Sequence, residues 1–329
     1  MPKAIRIHEL GGPEKLRWEE LPISDPGPDE VRVRHTAIGL NFIDIYHRTG
    51  LYPVPALPFT PGIEAAGIVE AIGSEVWARV PNVKVGDRVV YATPPVGAYA
   101  EVRLIDANRL VPIPEEIDDR TAAALLLKGM TAQYLLRQTY PVKAGDAVLI
   151  HAVAGGVGLM LCQWAAHLGA LVIGTVGSEE KAMLATAHGC QHTILYSQED
   201  FVARIKEITD GRGVHVVYDS IGKDTFTDSL DCLRPRGMMV SFGQSAGSVP
   251  PFDIAGLSTR GSLFLTRPTL MDYTRSREDL IATAKETFEV VRNGIVRVNI
   301  NQEFPLQAAA DAHFALEGRK TTGSTVLIP

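Results

Sequence analysis

One long stretch of the chain, from Ala147 to Ser178, contains no Asp, Glu, Lys or Arg. By length alone it could cross a membrane. Its pattern changes along the way, from the apolar segment AVLIHA to the helical segment GLMLCQWAAHLG and back to the apolar segment ALVIGTV. A strand, a glycine turn, a helix and a second strand make a βαβ unit, and strands buried on both faces carry no charge. The pattern therefore favours a buried βαβ unit over a membrane span.

Strand and helix patterns continue to alternate after this unit. Further strand candidates are HTILY, HVVYDS, GMMVSFG and SLFLT, and the helical segments EEKAMLATAHG and EDFVARIKEITDG lie between some of them. Such alternation predicts an α/β fold with a doubly wound parallel sheet whose faces are covered by helices. We predict this domain over residues 125–266.

The chain on either side of this domain has a different pattern. Residues 1–124 contain short strand candidates separated by Pro and Gly, namely VRVRHTAIG, AAGIVEAIG, DRVVYA and AYAEVRLI, with one helical segment, NFIDIYHRTG. A further helix is predicted over DDRTAAALLLKGMTAQYLLRQTY, with Asp118 or Asp119 as its cap. Residues 267–329 contain the helical segment SREDLIATAKETFEVVRNG and end in the strand pattern GSTVLIP. The sequence thus predicts a β-rich part, an α/β part and a mixed tail.

Composition and charge narrow the class of protein. The 329 residues are 46% hydrophobic, and 32 basic against 38 acidic residues give a net charge of −6. This balance argues against nucleic acid or an anionic membrane as the main partner. Cys162, Cys190 and Cys232 are far apart, which fits a reducing compartment and predicts neither a disulfide framework nor a zinc cluster. The N-terminus lacks the apolar core of a signal peptide, so we expect a cytoplasmic protein.

The segment AGGVG, from Ala154 to Gly158, falls where the first strand of the βαβ unit becomes a helix. Glycine permits a tight turn and a close approach of the backbone to a pyrophosphate, and the helix N-terminus offers free N–H groups. The segment departs from GxGxxG, because Ala152 or Ala154, depending on the register, replaces the first glycine. We predict dinucleotide binding at this turn; the alternative is an ordinary βα turn without a ligand.

The end of the second strand indicates which dinucleotide is bound. A site that prefers NAD usually has an acidic residue there, which holds the ribose 2′-hydroxyl. Here the strand ends at Gly177 and Ser178, and the acidic pair at 179–180 falls in the next helix, where it suits the helix dipole. Lys181 could reach a 2′-phosphate, although it could also be a solvated helix residue. The pattern favours NADPH.

Several segments in order resemble the medium-chain dehydrogenase/reductase superfamily, and more closely its bacterial NADPH:quinone oxidoreductases related to zeta-crystallin. They are AIGLNFIDIYHRTGLYP, PGIEAAGIVEAIG, VGDRVVYA, GAYAEV, LLLKGMTAQYLL, HAVAGGVGLMLCQWA, VYDSIG and MVSFGQSAG. The resemblance implies a GroES-like catalytic domain from both chain ends, a Rossmann domain inserted between them, and an active site in the cleft between the domains. It also implies a homodimer formed by the edges of the Rossmann sheets, with SLFLTRP as the pairing strand.

The chain departs from the zinc-dependent members of this superfamily. Where those enzymes have a ligating cysteine the chain has Asn41, and where they have a histidine before a glutamate it reads Gly62, Ile63, Glu64. The four-cysteine lobe that follows GDRV in those enzymes is missing, because YATPPVGAYA contains no cysteine. Zinc needs convergent thiolate or imidazole ligands, so we expect no metal.

The resemblance also assigns cofactor contacts. Residues expected at the nicotinamide end are Asn41, Tyr46 and Thr131; those at the pyrophosphate are Ala154, Gly155, Gly156 and Val157; those around the adenosine ribose and its 2′-phosphate are Gly177, Ser178, Lys181, Tyr196 and Arg319; those at two further strand ends are Phe242, Gly243, Gln244, Ser245, Phe264 and Thr266. For most of these positions the alternative is local packing.

Hydride transfer to a quinone places negative charge on oxygen, which needs a hydrogen-bond donor or a proton. The candidates for this catalytic role are Asn41, Tyr46 and Tyr52. Alternatively, Tyr46 packs on the cofactor and the quinone takes its proton from water. Lys128 interrupts an apolar segment, and we expect it to extend outward to solvent rather than to approach the cofactor. His151 is expected to be a hydrogen-bonded core residue.

The sequence thus predicts an enzyme that reduces a quinone or another electrophilic acceptor with NADPH. Reduction of activated C=C bonds, as in 2-alkenals and enones, by the same hydride donor is the nearest alternative. Relatives of zeta-crystallin also include RNA-binding proteins, but the acidic balance and the lack of a basic stripe argue against RNA as the main partner.

Overall fold

The computed structural model describes residues 1–54 and 56–329. The strands are β1 (Lys3–Arg6), β2 (Arg17–Glu20), β3 (Glu30–Leu40), β4 (Glu64–Ile72), β5 (Arg88–Ala92), β6 (Val102–Asp106), β7 (Val111–Pro112), β8 (Ala147–Ile150), β9 (Leu171–Val176), β10 (His192–Leu195), β11 (Val214–Asp219), β12 (Leu233–Ser241), β13 (Phe264–Thr266), β14 (Ile300–Pro305) and β15 (Ser324–Ile328). The α-helices are α1 (Phe42–Thr49), α2 (Val76–Arg79), α3 (Asp119–Tyr134), α4 (Gly156–His167), α5 (Glu179–Ala187), α6 (Phe201–Ile208), α7 (Phe226–Asp231), α8 (Ala255–Thr259), α9 (Leu270–Tyr273), α10 (Arg277–Arg292) and α11 (Ala309–Glu317).

The chain divides into two compact units. Unit 1 comprises Met1–Met130, Ser276–Phe288 and Val298–Pro329, and unit 2 comprises Thr131–Arg275 and Glu289–Arg297. Each unit is built around its own sheet. The α/β fold with one β-rich part and one parallel-sheet part is therefore confirmed.

The sheet of unit 1 has the strand order β14-β15-β3-β4-β5-β7, and β6 pairs with β3. The long strand β3 is its centre, because it pairs antiparallel with β4, with β6 and with β15 near the C-terminus. Alternate positions of β3 are buried in its first half, as expected for a strand with one solvated face. The core beneath the sheet includes Ile5, Val31, Val33, Ile38, Tyr91, Tyr99, Ile105 and Leu327.

The sheet of unit 2 has six strands in the order β10-β9-β8-β11-β12-β13, and every neighbouring pair is parallel. The order changes direction between β8 and β11, which are neighbours in space although β9 and β10 lie between them in sequence. In open α/β sheets ligands bind outside the carboxyl ends of the strands at such a switch point. The fold therefore indicates a ligand site at the ends of β8 and β11.

The uncharged stretch forms the predicted βαβ unit, consisting of β8, α4 and β9. Every residue of β8, and all but the first of β9, is buried, which explains the absence of charge. The helix α4 stops before Gly169, which adopts a left-handed φ of 84°. None of the helices in residues 1–54 and 56–329 combines the length and apolarity needed to cross a bilayer.

Candidate active site

The glycine turn, which we define as residues 152–158, joins β8 to α4. Ala152 adopts a left-handed φ of 51°, and its carbonyl oxygen accepts the N–H of Gly155 at 2.9 Å. Gly158 leaves room for this carbonyl, because a Cβ there would lie 2.4 Å from the oxygen of Ala152. Ala154 is buried and residues 155–157 are half-buried. The predicted pyrophosphate contacts thus lie together at a helix N-terminus, whose first N–H groups have no partner within the helix.

The predicted 2′-phosphate contacts of unit 2 cluster after β9. Ser178 begins α5, and its hydroxyl accepts the N–H of Lys181 at 3.3 Å. Gly177 lies beside the Tyr196 phenol, because a Cβ at position 177 would approach that oxygen to 2.7 Å. The acidic pair at 179–180 lies exposed in the first turn of α5, as expected, and not at the strand end. The structure brings these four predicted residues together without an acidic side chain at the end of β9.

The segment that follows β12 is held against the end of β11. The backbone N–H groups of Phe242 and Gly243 donate to the Asp219 carbonyl at 2.8 and 3.2 Å, and Ser245 donates to the Ser220 carbonyl at 3.0 Å. Residues 242–245 are half-buried. These four predicted residues therefore line the carboxyl end of a strand next to the switch point, where side chains and backbone are accessible to a ligand.

The remaining predicted residues lie on α3, on the edge strand β13 and after α11. Thr131 is buried on α3. Thr266 is the last residue of the edge strand β13, and Phe264 lies two residues earlier with 57% of its surface exposed. In unit 1, Arg319 follows α11, is exposed and adopts a left-handed φ of 57°.

The candidate catalytic residues lie on one segment of unit 1. Asn41 is the N-cap of α1, and its backbone N–H donates to the Asp44 carboxylate at 2.9 Å. Tyr46 lies on α1 and is buried, and its ring packs on the half-buried ring of Tyr52 with centroids 5.0 Å apart. The backbone N–H of Tyr52 donates to the Tyr46 carbonyl at 3.0 Å. The segment thus places Asn41 at the N-terminus of α1 and the aromatic pair on its second half and the turn that follows it.

Lys128 is buried, so the prediction that it extends outward to solvent is wrong. Its ammonium donates to the Leu40 carbonyl at 3.2 Å and lies 3.7 Å from the carboxylate of the fully buried Glu64. Glu64 also accepts the amide of Asn41 at 2.8 Å and the N–H of Leu127 at 2.6 Å. Burial raises the pKa of Glu64, and the charge of Lys128 opposes that rise. A charge inside the protein needs a partner, and Glu64 is the partner that the sequence pattern did not reveal.

Comparison with known proteins identifies the family. Residues 156–288 match the family model of zinc-binding dehydrogenases, and residues 27–115 match that of the alcohol dehydrogenase GroES-like domain. A quinone oxidoreductase from Pseudomonas aeruginosa is 54% identical over 329 residues, covering 100% of both chains. The chain belongs to the quinone oxidoreductase family of medium-chain dehydrogenases/reductases. A 2-haloacrylate reductase from a Burkholderia species is 49% identical, covering 100% of this chain and 99% of that one.

A solved member of this family resembles the whole fold. The crystal structure of Escherichia coli quinone oxidoreductase complexed with NADPH is 48% identical and has a TM-score of 0.96, covering 99% of this chain and 100% of that chain. The resemblance stated from the sequence segments is therefore confirmed.

The side chains present do not suit the zinc of the wider superfamily. In residues 1–54 and 56–329, no group of three or more His, Cys, Asp or Glu side chains is arranged to hold a metal ion. The positions that correspond to zinc ligands are occupied by Asn41 and by Ile63 before Glu64. In this quinone oxidoreductase family member, Lys128 supplies the positive charge beside Glu64.

A second buried polar network connects α1 to α11. The Tyr99 hydroxyl donates to the Asp44 carboxylate at 3.0 Å and contacts His313 Nε2 at 3.1 Å, while Arg48 lies 3.4 Å from His313 Nδ1 and binds Glu317 at 2.6 Å. Burial raises the pKa of Asp44 to about 7 and lowers the pKa of His313 to about 3. The helix that carries Tyr46 is therefore anchored through side chains that no sequence motif singled out.

Proposed function

We propose that this protein catalyses NADPH-dependent reduction of quinones by hydride transfer. The observation that carries the proposal is a glycine turn at the carboxyl end of β8 followed by a β9 end with Ser178 and Lys181 and no acidic side chain. The full-length match to quinone oxidoreductases supports the same activity. When bound, NADPH supplies the hydride, and the protein orients the acceptor beside it.

The protein's own groups bind and position the reactants in this proposal. The free N–H groups at the start of α4 bind the pyrophosphate, since a helix N-terminus favours negative charge. Lys181 and Arg319 provide positive charge for the 2′-phosphate, and arginine can donate two parallel bonds to it. Tyr46 and Tyr52 form an aromatic wall for a flat quinone, and a phenol can donate a hydrogen bond to the reduced oxygen.

Reduction of an activated C=C bond is the second candidate function. The relative that supports it is the 2-haloacrylate reductase, which is 49% identical over the full length. Hydride donation by the same cofactor serves both reactions, and they differ in the group that is reduced, a C=C bond or a quinone.

Steady-state rates of NADPH oxidation separate the two candidates. The acceptors are 1,4-benzoquinone, 1,2-naphthoquinone, a series of 2-alkenals and 2-chloroacrylate. We expect quinones to have the larger kcat/KM. Faster turnover of alkenals or haloacrylate than of every quinone would replace the first candidate by the second, and no NADPH oxidation with any acceptor would contradict both.

We further propose that the protein is a homodimer that pairs the edge strands β13 of two copies. β13 lies at the edge of the unit 2 sheet, and its Phe264 and Leu265 side chains are 57% and 39% exposed. An exposed apolar edge strand tends to pair with another chain.

Light scattering of two variants tests this interface. Leu265→Lys places a charge on the β13 edge and should give a monomer. Met183→Lys, which changes an exposed residue of α5, is the control and should remain a dimer. A dimer that persists in Leu265→Lys would contradict this interface.

A further inference from the structure

His151 follows β8 directly and is 98% buried, because its relative exposure is 2%. Its Nδ1 lies 2.9 Å from the hydroxyl of Thr175 on β9, and its Nε2 lies 2.8 Å from the hydroxyl of Ser229 on α7. The ring also packs edge-on against Phe201 with centroids 5.2 Å apart. Both nitrogens are thus held by different elements, which fixes the position and the rotation of the ring.

The hydrogen-bond directions in this group can be assigned. The only hydroxyl hydrogen of Ser229 is donated to the Thr225 carbonyl at 2.6 Å. Ser229 must therefore accept a hydrogen from His151 Nε2. Burial lowers the pKa of His151, which favours the neutral ring. In the neutral ring Nε2 carries the hydrogen, and Nδ1 accepts the hydroxyl hydrogen of Thr175.

The same residues hold the glycine turn. His151 immediately precedes Ala152, which adopts a left-handed φ of 51°. This conformation is disfavoured for residues other than glycine. On the other side, the N–H of Val153 donates to the Thr175 carbonyl at 3.2 Å. Thr175 therefore holds the chain on both sides of Ala152, by its hydroxyl through His151 and by its carbonyl through Val153.

We propose that His151 is a positioning residue for the cofactor, because it holds Ala152 in the conformation that shapes the glycine turn. The proposal rests on the proposed function, in which this turn binds the pyrophosphate of NADPH. The carbonyl of Ala152 accepts the N–H of Gly155, and its oxygen lies where a Cβ of residue 158 would be. A change in the conformation of Ala152 should therefore move the start of α4. His151 itself touches no reacting atom in this role.

The proposal makes a distinctive prediction about cofactor choice. The pyrophosphate is common to NADPH and NADH, so loss of His151 should weaken both cofactors by the same factor. Lys181→Ala, which removes a 2′-phosphate contact, should weaken NADPH alone. The ratio of the two dissociation constants thus separates a change in the turn from a change in the phosphate pocket.

The experiment measures the dissociation constants of NADPH and NADH by cofactor fluorescence, and kcat with a quinone at saturating cofactor. In His151→Leu we expect both constants to rise by about tenfold, the factor that about 1.4 kcal/mol of lost binding produces, with a smaller change in kcat. His151→Gln, which keeps one donor and one acceptor, should recover part of the affinity. Ser229→Ala should act in the same direction as His151→Leu, because it frees one side of the ring.

A matched control separates positioning from general stability. Ile194→Val removes a buried methyl group from β10 of the same unit and has no bond to the turn. It should lower the melting temperature and leave both dissociation constants unchanged. Unchanged cofactor affinity in both His151→Gln and Ser229→Ala would overturn the proposal, even if His151→Leu does not fold. Failure of the unaltered protein to bind either cofactor would instead contradict the proposed function.

Discussion

Replacing Lys128 by methionine tests the buried ion pair of unit 1. The substitution keeps a similar side-chain length and removes the positive charge next to Glu64, which is fully buried. The carboxylate retains the amide of Asn41 and the N–H of Leu127 as donors, but it loses the ammonium group that lies 3.7 Å away. Glu64 must then stay charged without its partner or take up a proton.

The cost follows from this geometry. Breaking a buried ion pair by removing one partner typically destabilises a protein by about 3–5 kcal/mol. Two hydrogen bonds still support the carboxylate, so we expect the lower end, about 3 kcal/mol, for Lys128→Met at pH 8. The folded-state pKa of Glu64 is already raised by burial and rises further without Lys128. A carboxyl group with a raised folded pKa destabilises increasingly as the pH rises above its unfolded pKa, so the loss should be smaller at pH 5 than at pH 8.

Urea unfolding at both pH values, followed by fluorescence, measures the effect. The matched control is Lys84→Met, which removes an exposed lysine from the same unit and should change stability by less than about 0.5 kcal/mol. The double variant Glu64→Gln with Lys128→Met leaves no charge at this pair and should recover more than about 1 kcal/mol relative to Lys128→Met. If the two single losses instead add in the double variant, the pair is not coupled and this reasoning fails.

Three further predictions follow from the site. Lys181→Ala and Arg319→Ala should each raise the dissociation constant of NADPH by about tenfold and spare NADH, because a charged hydrogen bond contributes roughly 1.5–3 kcal/mol, and equal losses for both cofactors would contradict a 2′-phosphate role. Burial raises the pKa of Asp44 from 3.8 to about 7, so the folded state holds a proton that the unfolded state has lost between these values, and stability should fall as pH rises through that window. Asp44→Asn should remove this fall, which amounts to roughly 3 kcal/mol between pH 5 and pH 8 because about two pH units of the window lie between them. Urea unfolding at the two pH values measures it, and an unchanged slope would refute it. Tyr46→Phe should lower kcat with 1,4-benzoquinone at least tenfold if the phenol donates a proton. An undiminished kcat in the double variant Tyr46→Phe with Tyr52→Phe would indicate that the proton comes from water.

The parallel sheet could be predicted from the sequence because its signal is local. Strands covered by helices on both faces read as continuous apolar segments, and the glycine turn follows the first of them. Segments such as β14 were not predicted. Its residues Ile300–Pro305 alternate between half-buried and exposed, and its pairing with β15 gives it a structure that its own apolar content does not indicate.

The cap of α3 illustrates a local choice that the sequence left open. Asp118 accepts the N–H of Thr121 at 2.8 Å and is the cap. Asp119 instead binds the Arg88 guanidinium and the hydroxyl of Thr36, both at 2.7 Å. Adjacent aspartates fit either role by spacing, and contacts with distant strands decide between them.

The buried networks of unit 1 could not be predicted from spacing. Arg48 and His313 are 265 positions apart, and Glu64 and Leu127 are 63 apart. A single sequence contains no information that pairs such positions. Lys128 was nevertheless marked by its place within ALLLKGMTA, since a charge in an apolar helix face either extends to solvent or has a buried partner. The local pattern allowed both outcomes, and the position of Glu64 decided between them.

The contacts of Asn41 bear on which candidate stabilises charge on a reduced quinone. A carboxylate only accepts hydrogen bonds, so the group of Asn41 that faces Glu64 at 2.8 Å is its NH2. The same nitrogen donates to the Gly39 carbonyl at 3.3 Å, which commits its second hydrogen. The Asn41 side chain therefore offers an acceptor rather than a donor to a bound molecule. Under the proposed function, Asn41 is therefore the candidate least suited to donate a hydrogen bond to a developing quinone oxyanion.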